Sequence, residues 1–182
     1  MSALKISKYI PHHREEFFKL LSLATWTKSI LEIGSRYGDT LVELARASDK
    51  AKIVAIDKPN VFPWGEDSEA RLRQNIEKLE YEGYETHLFI GDSKEVTTVE
   101  RATSLGPYDL VFIDGDHTYE GAKTDWLNFG KLGKTVVFHD IVQPKEGERQ
   151  ELEVWKLWQE LEGNKEEFIG EGSKMGLGIY RW

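Results

Sequence analysis

The sequence contains no cysteine. Disulfides and thiolate metal sites are therefore excluded, and a reducing compartment is compatible with the chain. It also lacks long apolar runs: no window approaches the roughly 20 consecutive apolar residues that a membrane span requires. The first 18 residues, MSALKISKYIPHHREEFF, hold no apolar core of signal-peptide length. A cytoplasmic location with no membrane partner is the expectation. Basic charge is in the minority, with 24 Lys and Arg against 32 Asp and Glu and a formal net charge of −8. Sequence-independent binding to nucleic acid needs a basic face, so nucleic acid is not the expected partner. Repeats and low-complexity tracts are absent too. What is present is ample apolar material: 182 residues, 40% hydrophobic and 12% aromatic. That is enough for one domain with a real core.

The apolar residues come in short runs that alternate with helical patterns. SILEIG (29–34), KIVAID (52–57), THLFIG (86–91), YDLVFID (108–114) and TVVFHD (135–140) read as strands. Helical periodicity occupies about 12–25, 39–48, 68–82, 94–103, 119–130 and 149–162. Continuous apolar strands separated by helices predict an α/β fold with a parallel sheet covered on both faces. Two further strand-like runs, EEFIG (166–170) and GLGIYRW (176–182), are separated by too few residues for a parallel crossover, so they should form an antiparallel hairpin. Residues 1–182 thus read as one domain, with 1–28 as an N-terminal helical cover and 29–182 as the core.

Ligands of open α/β sheets bind at the carboxyl ends of the strands. Those ends carry Gly34, Asp57, Gly91-Asp92, Asp114 and His139-Asp140. Each acid alone could cap the helix that follows; four of them on one rim point to a ligand. The turn LEIGSRYGDT (31–40) offers Glu32, Gly34, Ser35, Arg36 and Gly38 at a strand-to-helix junction. Arg36 stands where a dinucleotide fingerprint needs its second glycine, so a pyrophosphate is disfavoured and a carboxylate is the better anion for this helix start. Glu32 could accept a hydrogen bond from an ammonium. Asp57 follows about 20 residues later, where an acid typically meets ribose hydroxyls. Asp92 and Ser93 could read an adenine edge. A carboxylate, an amine and an adenosine together describe S-adenosylmethionine.

The blocks LEIGSRYGDT, VAIDKPN, GDSKEV, YDLVFIDGDHTYEGAKTDW and VVFHDIV resemble the successive motifs of class I S-adenosylmethionine-dependent methyltransferases. The likeness is strongest to the small-molecule subgroup with an IDGDHxYEG block, whose members include sugar and catechol-like O-methyltransferases. The resemblance implies a Rossmann-like seven-stranded sheet ordered 3-2-1-4-5-7-6 with strand seven antiparallel. It places the cofactor at Glu32, Gly34, Ser35, Arg36, Gly38, Asp57, Asp92, Ser93 and Asp114. It places a divalent cation, magnesium or manganese, at Asp114, His139 and Asp140, and a general base at His117. Where an oxygen donor is usual, the pair after strand five begins here with a histidine, a donor suited to softer ions than magnesium. The implied activity is metal-assisted O-methylation of a small hydroxylated acceptor such as a sugar, polyketide or phenol.

Other readings stay open at this stage. Asp116 or Thr118 could cap the helix that starts near Tyr119, His117 could be a helix-start surface residue, and His139 could be a satisfied core histidine. Phe62 and Trp64, in the irregular stretch 58–68, could cover the adenosine or the acceptor. Trp126, Trp155 and Trp158 are spaced as packing residues. Tyr119 and Lys123 match the Tyr-x-x-x-Lys spacing of nicotinamide-dependent reductases, but they follow strand four and lack the dinucleotide glycines. A metal-independent methyltransferase, a methyltransferase acting on a nucleic acid or protein, and a non-catalytic protein that binds the cofactor or its product are the remaining alternatives. The short N-terminal cover leaves room for a homo-oligomer whose second subunit closes the site.

Overall fold

A computed structural model describes residues 13–59 and 68–182. Phe62 and Trp64 lie outside the described residues. Seven strands form one sheet: β1 (Ser29–Ile33), β2 (Lys52–Asp57), β3 (Thr86–Ile90), β4 (Tyr108–Ile113), β5 (Gly133–His139), β6 (Asn164–Phe168) and β7 (Leu177–Arg181). Their order is β3-β2-β1-β4-β5-β7-β6. β1 to β5 are parallel, while β7 runs antiparallel to both β5 and β6. The expected topology and the expected C-terminal hairpin are both found.

Alternation along the strands divides the core in two. Ile30, Leu110, Phe112, Val137 and Ile179 point to one face, where Leu20 of α1 (Arg14–Ala24), Leu41 and Leu44 of α2 (Asp39–Ala47) and Leu72 and Ile76 of α3 (Ser68–Tyr81) cover them. Leu31, Ile33, Val111, Ile113, Val136 and Phe138 point to the other. They meet Ala102 of α4 (Val96–Leu105), Ala122 and Phe129 of α5 (Tyr119–Phe129), and Leu157 and Trp158 of α6 (Val154–Glu160). A strand buried on both faces must be apolar throughout, which is why these strands read as continuous runs. Among the described residues no helix is long and apolar enough to cross a membrane.

Three boundaries differ from expectation. The helix expected at 149–162 is only Val154–Glu160, because the Glu153 amide donates to the His117 carbonyl (2.8 Å) and residues 149–152 precede it as turns. β6 begins at Asn164 rather than 166; as an edge strand it is largely unburied and carries little apolar signal. β5 begins at Gly133, earlier than its apolar run. Trp126 is in ring contact with Phe138, Tyr180 and Trp182, and Trp158 is buried beneath Phe138, so both are packing residues as their spacing suggested.

Candidate active site at the carboxyl rim of the sheet

Because β1 to β5 are parallel, their carboxyl ends share one rim, and every expected residue on a strand end arrives there. The β1–α2 turn is built for close approach. Gly34 has φ +89°, and a Cβ there would overlap the Asp114 carbonyl oxygen and the Gly115 Cα. Only glycine fits such backbone-on-backbone contact. Gly38 caps α2 at φ +77°. The Arg36 amide donates to Asp57 Oδ1 at 2.8 Å, tying the turn to the end of β2. Burial pushes the Asp57 carboxyl up to about 6, and the Arg36 N–H opposes it.

Glu32 is buried in the floor of this cleft, and its Oε2 has no hydrogen-bond partner. Burial, with the charges of Asp114 and Asp57 adding to it, pushes the Glu32 carboxyl up to about 8. A buried, unpartnered acceptor is costly, and a ligand donor such as an ammonium would relieve it. At the end of β3, Asp92 Oδ1 accepts from the Lys94 amide (2.9 Å) and Oδ2 pairs with Lys58 (3.0 Å). Ser93 lies beside it, its carbonyl accepting from Asn128 at 3.3 Å.

After β4, the DGDHT turn separates its polar groups. Asp116 Oδ1 accepts from both the amide (3.0 Å) and the hydroxyl (2.7 Å) of Thr118, and Oδ2 pairs with Lys94 (2.8 Å). Thr118 Oγ1 in turn accepts from the Gly121 amide at 3.1 Å, so Thr118 caps α5 and Asp116 holds the cap. Asp114 and His117 face the opposite way, toward β5.

There they interleave with the residues at the end of β5. His117 Nδ1 lies 2.6 Å from Asp140 Oδ2, and His139 Nδ1 lies 3.1 Å from Asp114 Oδ1 and 3.6 Å from Asp140 Oδ1. Asp140 is buried and holds a left-handed φ of +61°. Strain of this kind, costing about 1–3 kcal/mol, clusters at functional sites. Burial disfavours charge on His139, but Asp114 and Asp140 outweigh it and hold the ring's pKa up at about 9. Burial also opposes charge on His117, and its bond to Asp140 and the charge of Asp114 raise its pKa nonetheless. One ligand atom each from Asp114, His117 and Asp140 lies within 4.8 Å of the others, close enough to hold a metal ion. His139, expected among the ligands, is outside this group and is buried beneath it.

Two polar residues were not singled out from the sequence. Glu16 of α1 is fully buried, and its Oε1 accepts from the amides of Gly170 and Gly176, each at 3.1 Å. Asp125 of α5 is also fully buried. Each sits on its helix's buried face, Glu16 beside Phe17 and Leu20, and Asp125 beside Ala122 and Phe129. An acid in register with the apolar positions was the available signal.

A family model described as a methyltransferase domain matches residues 31–141, from the glycine turn to the residue after Asp140. The chain belongs to that methyltransferase family. With the 3-2-1-4-5-7-6 sheet, it is a class I S-adenosylmethionine-dependent methyltransferase. Solved structures share the fold of this methyltransferase. Cofactor-bound Rv0187 from MTB superposes with a TM-score of 0.68 at 17% identity, covering 96% of this chain and 82% of that one. TomG of Streptomyces achromogenes, an O-methyltransferase solved in complex with S-adenosylmethionine, gives 0.64 at 17% identity over 92% and 79%. The S-adenosylhomocysteine-bound methyltransferase PaMTH1 of Podospora anserina gives 0.61 at 20% identity over 92% and 76%. No curated protein matches the methyltransferase by sequence.

Proposed function

We propose that the methyltransferase O-methylates a small hydroxylated acceptor (a sugar, polyketide or phenol) with the help of a divalent cation. The observation that carries this reading is the convergence of Asp114, His117 and Asp140 at the rim. Two carboxylates and an imidazole suit manganese better than magnesium, and Asp140 Oδ1, which accepts no hydrogen bond, is a ready ligand atom. In this reading His117 replaces His139 as the nitrogen ligand, and His139 orients Asp114 from beneath. A bound cation would lower the pKa of an acceptor hydroxyl.

S-adenosylmethionine supplies the methyl group on a sulfonium, and the rest of the chemistry is alignment and one proton transfer. Glu32 receives the ammonium of the cofactor, Asp57 the ribose hydroxyls, and Asp92 with Ser93 the adenine edge. The glycine turn, with Ser35 and Arg36, lies against the amino-acid portion. The TomG and PaMTH1 complexes support an adenosyl ligand in this fold. The acceptor oxygen then attacks the methyl carbon as the carbon–sulfur bond breaks, and its proton leaves to a base.

A second reading is favoured by the 2.6 Å contact between His117 Nδ1 and Asp140. It makes His117 that base without a metal. Asp140 fixes the ring, and Nε2 takes the hydroxyl proton. Methyl-transfer assays with chelator and with manganese or magnesium restored, alongside calorimetric titration of S-adenosylhomocysteine, on wild type and Asp114→Asn, separate these readings. Metal-assisted chemistry predicts that methyl transfer is lost on chelation and restored by metal, and that Asp114→Asn no longer responds. Wild-type binding with transfer indifferent to chelation would leave the His117–Asp140 pair as the base. No binding by wild type would overturn the cofactor assignment.

Glu32 gives a separate prediction. Burial holds its carboxyl up at about 8, against an ordinary value of 4.5. Between those values the folded form keeps a proton that the unfolded form has lost, so this group's contribution to stability falls as pH rises through the window. An ammonium ligand reverses the preference and expels the proton. Binding of S-adenosylhomocysteine at pH 7 should therefore release close to one proton, read from calorimetry in buffers of different ionisation enthalpy. Release should fade above pH 8 and vanish in Glu32→Gln. Equal release by wild type and Glu32→Gln would refute the assignment.

A further inference from the structure

Asp125 has no part in the chemistry above, yet its position is costly. It lies fully buried on α5, and the contact it draws from the Ser93 side chain is too weak to offset that burial. Burial raises its pKa to about 6, with Ser93 nearby opposing this and Asp116 adding to it. A leucine would cost the fold less, because a buried acid forfeits its hydration.

Its location explains what the acid touches. A Cβ built on Gly115 would lie 3.4 Å from Asp125 Oδ2 and 3.7 Å from the Gly34 amide. The carboxyl is therefore directly beneath the crossing of the β1 and β4 turns. One helical turn further on, Asn128 donates to the Ser93 carbonyl at 3.3 Å. Asp125 and Asn128 thus form a polar strip of α5 under two segments, Gly91–Ser93 after β3 and Asp114–Asp116 after β4. Lys94 bridges the same segments from above through Asp116. In the proposed function Asp92 and Ser93, in the first of these segments, read the adenine edge, so this inference rests on that reading.

We propose that Asp125 is a positioning residue for the adenine end of the cofactor: from beneath, it sets the relative placement of the Ser93 and Gly115 turns, and so the selectivity for an adenine amine over an inosine carbonyl. It is shielded from the cleft and acts through those turns rather than by touching the base.

A purely structural group and a positioning group respond differently to Asp125→Asn, which keeps the volume and removes the charge. Three quantities are measured on wild type, Asp125→Asn and Asp125→Ser: the Tm of the ligand-free protein, the Kd of S-adenosylhomocysteine, and the Kd of S-inosylhomocysteine. The expected result for Asp125→Asn is an unchanged or higher Tm, S-adenosylhomocysteine binding weakened about tenfold, and inosyl binding nearly unchanged, so that selectivity collapses by about the same tenfold factor. Asp125→Ser should repeat the loss of selectivity. Unchanged selectivity in a folded variant, or equal weakening of both ligands together with a lower Tm, would overturn the proposal. Failure of wild type to bind S-adenosylhomocysteine would instead remove the cofactor reading on which it stands.

Discussion

Gly34→Ala is expected to lower folding stability by roughly 3–5 kcal/mol and to eliminate measurable S-adenosylhomocysteine binding. Two costs combine. The left-handed φ of +89° disfavours any side chain, and the added methyl would occupy space already filled by the Asp114 carbonyl and the Gly115 Cα. Neither neighbour is a rotatable group. Relief requires the β1 and β4 turns to move apart, although ladder bonds hold both: the Gly34 amide to Ile56 O and the Asp114 amide to Ile33 O, each at 2.9 Å. Urea denaturation of the two proteins, with calorimetry on the folded fraction, checks both effects. Glycine at 83 is the control: it also has positive φ, at +84°, but nothing lies within 4 Å of its Cβ position. Gly83→Ala should show the conformational cost without the steric one. Equal losses at the two sites would mean that the turn-to-turn contact is not the constraint.

The other large effect is functional and should leave the fold intact. Asp140→Asn is expected to reduce methyl transfer by about 10²–10⁴-fold, in the range of a lost general base, while folding stability changes by no more than about 1 kcal/mol. Asparagine tolerates the left-handed backbone that Asp140 adopts at φ +61°. The substitution also removes a buried charge whose Oδ1 has no hydrogen-bond partner. What it takes away is the anion opposite His117 Nδ1 and one of the carboxylates of the candidate metal cluster. Single-turnover transfer at saturating cofactor is the proper measurement, since it excludes product release. Activity within threefold of wild type would show that neither the base pairing nor the metal cluster uses Asp140.

The fold was legible because the strands of a doubly covered parallel sheet must be apolar on both sides, and IVAI and LVFI leave no polar face to mislead, while Glu32 alone interrupts LEI. The same rule explains the missed boundary of β6: NKEEF at the edge of the sheet is not buried, so its pattern reads as surface. At the site, residues on strand ends were legible because their position follows from the direction of the strand. Gly34, Asp57, Asp114 and Asp140 were all expected at one rim and all meet there. Which of His117 and His139 groups with Asp114 and Asp140 was not legible. His117 follows β4 by a few residues and His139 ends β5, and which ring faces the cluster depends on the turn after Asp114 and on the strained backbone at Asp140. Glu16 and Asp125 escaped for a different reason. Each is one acid among many in a sequence with 32 of them, and only the three-dimensional register of its helix shows that it is buried.

The hydrogen bonds of Glu16 to Gly170 and Gly176 join residues 154 and 160 positions apart. They make one corner of the site depend on both ends of the described chain. The glycine turn, Asp57 and Asp114 need only the first four strands to find their places. The corner holding His139 and Asp140 waits for the last hairpin, since β7 pairs with β5 through Leu177 opposite His139 and Glu16 then fastens the hairpin loop to α1. Such long-range closures form late because their loop entropy is met only at the end. The half of the rim at the glycine turn and Asp57 thus depends only on the first four strands, while the histidine–aspartate corner depends on the C-terminal strands as well.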